Sequence, residues 1–245
     1  MNIEELEARL LAAEAKLQRL EDIEAIKRLH RVYSYYVMYM LKHEIVDCFA
    51  DHPEVKLRWL EGTWLGKEGV KRYFGIGDET RMKPSPLFTH QVMPIAGVID
   101  VEGNRASGRW YAFGGVNVPR EGQPANGSFV GGIYEITYLK QDGVWKFLTI
   151  DWVINYTVRL PEGAWGTMEQ MGQSIENFVG PQSDIPPSAN DPHFMTGWIL
   201  PYHYDHPVTG RPTTEKERNL KFMAEREAAA RKPKRAGRKG PNVPG

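Results

Sequence analysis

The chain has 245 residues, with 31 Lys and Arg against 31 Asp and Glu; a formal net charge of zero gives no polyelectrolyte surface and fits one domain with extensions. Hydrophobic residues make up 41% and aromatic residues 11%, including 7 Trp and 11 Tyr, which excludes global disorder and supplies a sizeable core. The single cysteine, Cys48, excludes an intramolecular disulfide framework and any CxxC metal site, and fits a reducing compartment.

The first residues, MNIEELEARL, are acidic without an apolar h-region, and nowhere is there an apolar run long enough to span a bilayer. The expectation is a soluble, cytoplasmic protein. Ile3, Leu6, Leu10, Ala13, Leu17 and Leu20 recur at alternating three- and four-residue steps, a short heptad seam. Either this N-terminal helical extension (1–20) lies against its own domain or it joins copies of the chain, with a homotrimer the first expectation and a dimer the second.

From Ile23 the apolar positions continue at helical period through Ile26, Leu29, Val32, Tyr35 or Tyr36, and Tyr39, in a new register. A second short helix is expected around Glu44 to Phe49, stopped by Asp51-His52-Pro53. Val55, Leu57 and Trp59 then alternate with Lys56 and Arg58 as a half-buried strand. Gly62 and Gly66 bound a turn, Lys67 to Phe74 reads as a short helix, and a loop follows over Gly75 to Pro86. Further strands are expected over Leu87 to Met93, Ala96 to Val101, Arg105 to Val116, Ser128 to Leu139 and Val144 to Val158. Gly103-Asn104 and Asp142-Gly143 mark tight hairpins between them. Helices first and a mostly antiparallel sheet afterwards make an α+β pattern.

Residues 161–213 are rich in Gly, Pro, Asn and Asp and read as an irregular C-terminal wrap, with a possible short helix near Met168 to Phe178. Thr214 to Ala230 is helix-like, and Arg231 to Lys239 (RKPKRAGRK) reads as a solvated, disordered basic tail. No nucleic-acid-binding pattern accompanies that tail. The string Tyr202-His203-Tyr204-Asp205-His206 reads as an ordered turn or a flap rather than a metal site. There is no dinucleotide-binding glycine motif, Walker loop, GxSxG or HExxH.

Four strings together resemble the SnoaL-like branch of the NTF2-like superfamily, the cone-shaped α+β barrels that include scytalone dehydratase and steroid isomerase. They are Ile26 to Tyr39, Phe49-Ala50-Asp51 followed by Val55, Trp64-Leu65-Gly66-Lys67-Glu68-Gly69-Val70, and Gly132-Ile133-Tyr134 leading to Asp142-Gly143-Val144-Trp145-Lys146-Phe147. The resemblance covers about residues 20–158 and sets a SnoaL-like domain over 21–160. It implies a curved sheet packed on N-terminal helices around one apolar pocket, worked by inward side chains, usually without metal or cofactor.

Carried over by the resemblance, His90 falls where dehydratases hold a pocket histidine, and its ordinary pKa suits proton transfer near neutrality. Tyr39 falls at a pocket tyrosine, with Tyr35 one turn earlier, and Tyr134 lies in the Gly-x-Tyr string with Ile136 and Tyr138 on the same side. The family's usual acids are replaced by Met40 after Tyr39 and by Ile136. Trp59 and Trp110 are expected inward as stacking surfaces. Arg58 and Arg109 alternate to the other face, toward solvent or a subunit interface, Arg58 being kept as a substrate-binding candidate. His90 and the tyrosines also admit a purely structural reading.

These residues imply a lyase without cofactor or metal, acting by acid-base chemistry on a phenolic aromatic substrate. The resemblance leans toward the lyases that remove formaldehyde from lignin-derived diarylpropane 1,3-diols to leave stilbenes. A dehydratase or ketosteroid-type isomerase, and a non-catalytic small-molecule-binding protein, are the alternatives. No nucleic-acid or membrane partner is expected.

Overall fold

The computed structural model describes residues 2–59, 62–78, 88–117, 127–161 and 204–214. Helix α1 spans Ile3–Met38 without interruption. The side chain of Asn2 caps it by accepting the Glu5 N–H at 2.7 Å, and Glu4 and Glu5 in the first turn suit the positive end of the helix dipole. Its two halves differ in what they meet. Up to Glu21 every described residue is exposed, Leu6, Leu10, Leu17 and Leu20 included, whereas Ile26, Leu29, Val32, Tyr33, Tyr36 and Val37 enter the core. Asp22 marks the change: its Oδ1 accepts hydrogen bonds from Lys140 Nζ and Trp145 Nε1, each at 2.7 Å. That carboxylate pins α1 to the last two strands of the sheet.

Helix α2 (Lys42–Asp47) and helix α3 (Gly66–Tyr73) are short. The six strands are β1 (Lys56–Trp59), β2 (Gly62–Leu65), β3 (Thr89–Glu102), β4 (Arg105–Asn117), β5 (Ser128–Gln141) and β6 (Val144–Arg159), in sheet order β2-β1-β6-β5-β4-β3. Only the β1–β6 pair is parallel. The segment between Gly62 and Gly66 is thus not a turn but strand β2, because pairing with β1 satisfies its backbone. Asp142 and Gly143 both take positive φ, 51° and 79°, as a tight hairpin between β5 and β6 demands.

The separate strands expected over Leu87 to Met93 and Ala96 to Val101 are one bent strand, β3. Between Ile95 and Val98 the pairing with β4 slips, and Ala96 takes φ 50°. This bulge moves the inward side from His90 and Val92 to Ile99 and Val101. It also brings Gly97 onto the Trp110 indole, where an added Cβ would lie 2.3 Å from the ring. The consequence is a curled sheet. β3 and β6 are separated by two strands, roughly 14 Å if the sheet were flat, yet the rings of His90 and Trp152 lie 6.0 Å apart.

Among the described residues, no helix is long and apolar enough to cross a membrane. The expected helices near Met168 to Phe178 and over Thr214 to Ala230, and the basic tail, lie outside the described residues apart from Thr214.

Candidate functional site

Inward alternation and strand register place four large aromatic side chains in a row. Trp110 stands opposite Tyr134, and Tyr134 opposite Trp152; Trp59 continues the row, one residue beyond the Arg58–Asp151 pair. Ring centroids confirm the contact: Tyr134 to Trp152 at 5.4 Å and stacked, Trp59 to Trp152 at 5.4 Å edge to face, and Trp59 to Tyr134 at 6.1 Å. His90 reaches the row from β3 through Trp152 and stacks over Phe88 at 6.5 Å.

Helix α1 covers the row with His30. The imidazole is 1% exposed and sits 4.9 Å from Trp110, 5.3 Å from Tyr134 and 5.7 Å from Phe147, ring centroid to ring centroid. Tyr33, one turn later, packs on Phe147 at 5.0 Å. Nothing in this cluster ionises readily. Burial pushes His90 down to about 4 and His30 down to about 3, so both imidazoles are neutral at pH 7. Burial pushes the Tyr134 and Tyr33 phenols well up, and each stays protonated. The cluster therefore holds neutral proton acceptors beside protonated hydrogen-bond donors.

Hydrogen-bond accounting separates core from site. Trp110 Nε1 donates to the Tyr138 hydroxyl at 3.1 Å and Trp145 Nε1 donates to Asp22, so these indoles are satisfied within the protein. By contrast, Nδ1 of His30, the hydroxyl of Tyr33, and Nε1 of Trp59 and of Trp152 are buried without a partner among the described residues. Each such group costs about 1–3 kcal/mol in a folded protein. Four of them collect around Tyr134.

The site residues expected from sequence divide accordingly. His90, Tyr134 and Trp59 come together. Trp110 and Tyr138 face inward but satisfy each other, 4% and 0% exposed, and belong to the core beneath. Arg58 is exposed and pairs with Asp151 at 3.3 Å on the outer face; Arg109, also outward, pairs with Glu135. Tyr35 and Tyr39 are not brought to the cluster. Tyr35 is 52% exposed, and both tyrosines lie near Tyr204, whose phenol they help to raise. The physical reason is helical phase: Tyr35 is about 200° around the axis from Tyr33 at 100° per residue. Met40 and Ile136, which replace the family's acids, are both buried.

Sequence reasoning missed His30, Tyr33 and Trp152. His30 and Tyr33 were legible as members of the Ile26-Leu29-Tyr33 stripe; Trp152 required the β5–β6 register.

The described end of the C-terminal wrap docks away from this cluster. His206 Nδ1 accepts the N–H groups of Val208 and Thr209, and Nε2 donates to the Glu44 carbonyl at 2.8 Å. Its ring stacks on Tyr36 at 5.1 Å, and Arg211 pairs with Asp47. Both ring nitrogens are thus used in a structural turn. His203 of the same string lies outside the described residues.

A cone-curled, mostly antiparallel sheet closed by a long helix over an inward aromatic row is the architecture of an NTF2-like domain. The SnoaL-like domain family model matches residues 18–151, and the chain belongs to that family. Similar solved structures include a hexachlorocyclohexane dehydrochlorinase, LinA-type3, from Novosphingobium barchaimii (21% identity, TM-score 0.49, covering 60% of this chain and 94% of that one). They also include a scytalone dehydratase candidate from Novosphingobium aromaticivorans (21% identity, TM-score 0.47, 57% and 88% covered). An NTF2-like protein with a cystatin-like fold from the same organism matches at 17% identity and TM-score 0.44, over 60% and 90% of the two chains. No curated protein matches the chain.

Proposed function

We propose that this protein is a cofactor-independent lyase acting by acid-base chemistry on a phenolic aromatic substrate, with release of formaldehyde from a diarylpropane 1,3-diol as the preferred reaction. The observation that carries the reading is the neutral His90 and the protonated Tyr134, each in ring contact with Trp152. A base and an acid of this kind suffice. Tyr134 donates its proton to the departing benzylic oxygen, which leaves as water while the para-oxygen of the substrate, bound as a phenolate, pushes electrons in to form a quinone methide. His90 takes the proton of the terminal hydroxymethyl; the carbon-carbon bond breaks, formaldehyde departs, and the electron pair returns to the para-oxygen, leaving the stilbene as a phenolate. Diol thus gives stilbene, formaldehyde and water, and His90 returns its proton to Tyr134. Trp59 and Trp152 hold the rings.

The test is incubation of the protein with phenolic 1,3-diols while stilbene absorbance and trapped formaldehyde are followed. Equal amounts of both establish the reaction; a dehydrated product alone moves the assignment to dehydratase, and no turnover removes the lyase reading for these substrates.

The protein also works, in this proposal, as a homo-oligomer, with a trimer the first choice. The support is the Leu6-Leu10-Leu17-Leu20 seam, exposed along the projecting half of α1 and self-complementary in spacing.

A further inference from the structure

We infer that Trp59 and Trp152 form a two-donor site for an oxygen of an aromatic ligand, so that they select substrates by hydrogen bonding and not only by stacking. The inference rests on the aromatic-ligand reading above and deepens it. The two indoles are neighbours at 5.4 Å, edge to face, and both Nε1 atoms are buried with no partner among the described residues. An indole N–H can only donate. A site holding two such groups therefore calls for an acceptor, and Tyr134, stacked on Trp152, keeps its own proton and does not supply a charged one.

The contrast with the other indoles makes the pair specific. Trp110 stands in the same row, more deeply buried, and its N–H is consumed by Tyr138; Trp145 gives its N–H to Asp22. The fold thus satisfies the indoles that serve the core and leaves without a partner among the described residues the pair formed by Trp59 and Trp152, the second of which meets His90. The unused donors fit a phenolic oxygen, whose negative charge develops as a quinone methide is discharged. Two fixed donors, both shielded from solvent, favour that charge. They discriminate against a ring that lacks the oxygen, because such a ligand leaves both N–H groups unpaired.

Binding of stilbenes to the full-length protein, read by ligand fluorescence, tests this without any turnover. The probes are 4-hydroxystilbene and 4-methylstilbene, matched in size and differing in the acceptor. Wild type should prefer the hydroxyl compound by about 10-fold or more. In Trp59→Phe and Trp152→Phe that preference should fall about threefold each, and in the double variant to near unity; the preference is a ratio, so stacking lost to both probes cancels from it. Equal affinity of the two probes for wild type overturns the inference even if no variant folds. So does an undiminished preference in both variants, and so does failure of 4-hydroxystilbene to bind. A retained preference with no formaldehyde from diols would remove the lyase and leave the donor pair standing.

Discussion

Replacing His30 by Phe separates a structural histidine from a functional one. The folded imidazole is held at about 3 against an ordinary 6.5 because it is buried with Nδ1 unpaired. The unfolded chain therefore binds a proton near pH 6.5 that the folded chain refuses until about pH 3. Stability from this group is complete above the unfolded value and is lost as pH falls below it. The slope is about 1.4 kcal/mol per pH unit, which makes about 3 kcal/mol near pH 4.5 and ~5 kcal/mol by pH 3. His30→Phe removes this dependence. Near neutral pH, where a similar ring replaces an unsatisfied polar one, the variant should be as stable as wild type or about 1 kcal/mol more so. Urea unfolding near pH 7, 5.5 and 4.5 measures both effects. Asp22, Asp51 and Glu54, held below their ordinary values by partners, also lose stability in acid, but they are common to both proteins and cancel in the difference. The same slope in both proteins would refute the buried neutral imidazole. A cost above about 2 kcal/mol near pH 7 would refute the unpaired Nδ1 in the free protein.

His90→Gln should lower turnover by about 10² while ligand binding survives, in line with general acid-base contributions. For wild type, kcat/KM should rise through about pH 4 to a plateau, because the base is active once neutral and burial holds His90 there; an edge near 6.5 in the pH profile would show an unperturbed histidine. Asp22→Ala should destabilise by about 3 kcal/mol in denaturant titrations, since it strands the Trp145 N–H and Lys140 ammonium that fix α1 to β5 and β6. Deleting residues 2–20 should reduce the mass in solution measured by light scattering without lowering the thermal midpoint of the domain, because every described residue of that half of α1 is exposed.

Much of the architecture was legible because it is local. Period-two alternation from Arg105 to Val116 put Ala106, Gly108, Trp110 and Ala112 on one face, and β4 buries those four. The Gly-x-Tyr string put Tyr134 and Tyr138 inward, and the helical period carried α1 from the heptad seam through to the residue before Tyr39. Tyr35 and Tyr39 stand apart from the aromatic row because a resemblance fixes a helix but not its phase against the sheet; the buried stripe runs through Ile26, His30 and Tyr33.

Local patterning was enough for the helices, for strands β1, β4, β5 and β6, for the hairpins at Gly103 and Asp142, and for the family, since propensity, alternation and turn chemistry act between near neighbours; β2, read as a turn, and the single strand β3, read as two, needed the pairing of the sheet. Which polar groups meet in the candidate site was settled by tertiary packing. The bulge at Ala96 and Gly97 turns β3, and the curl of the sheet carries His90 across two strands to Trp152. Whether an indole finds a partner depends on side chains far away in the chain, as Trp110 does with Tyr138 and Trp59 and Trp152 do not. Such pairings are long-range geometry, and a linear pattern contains no record of them.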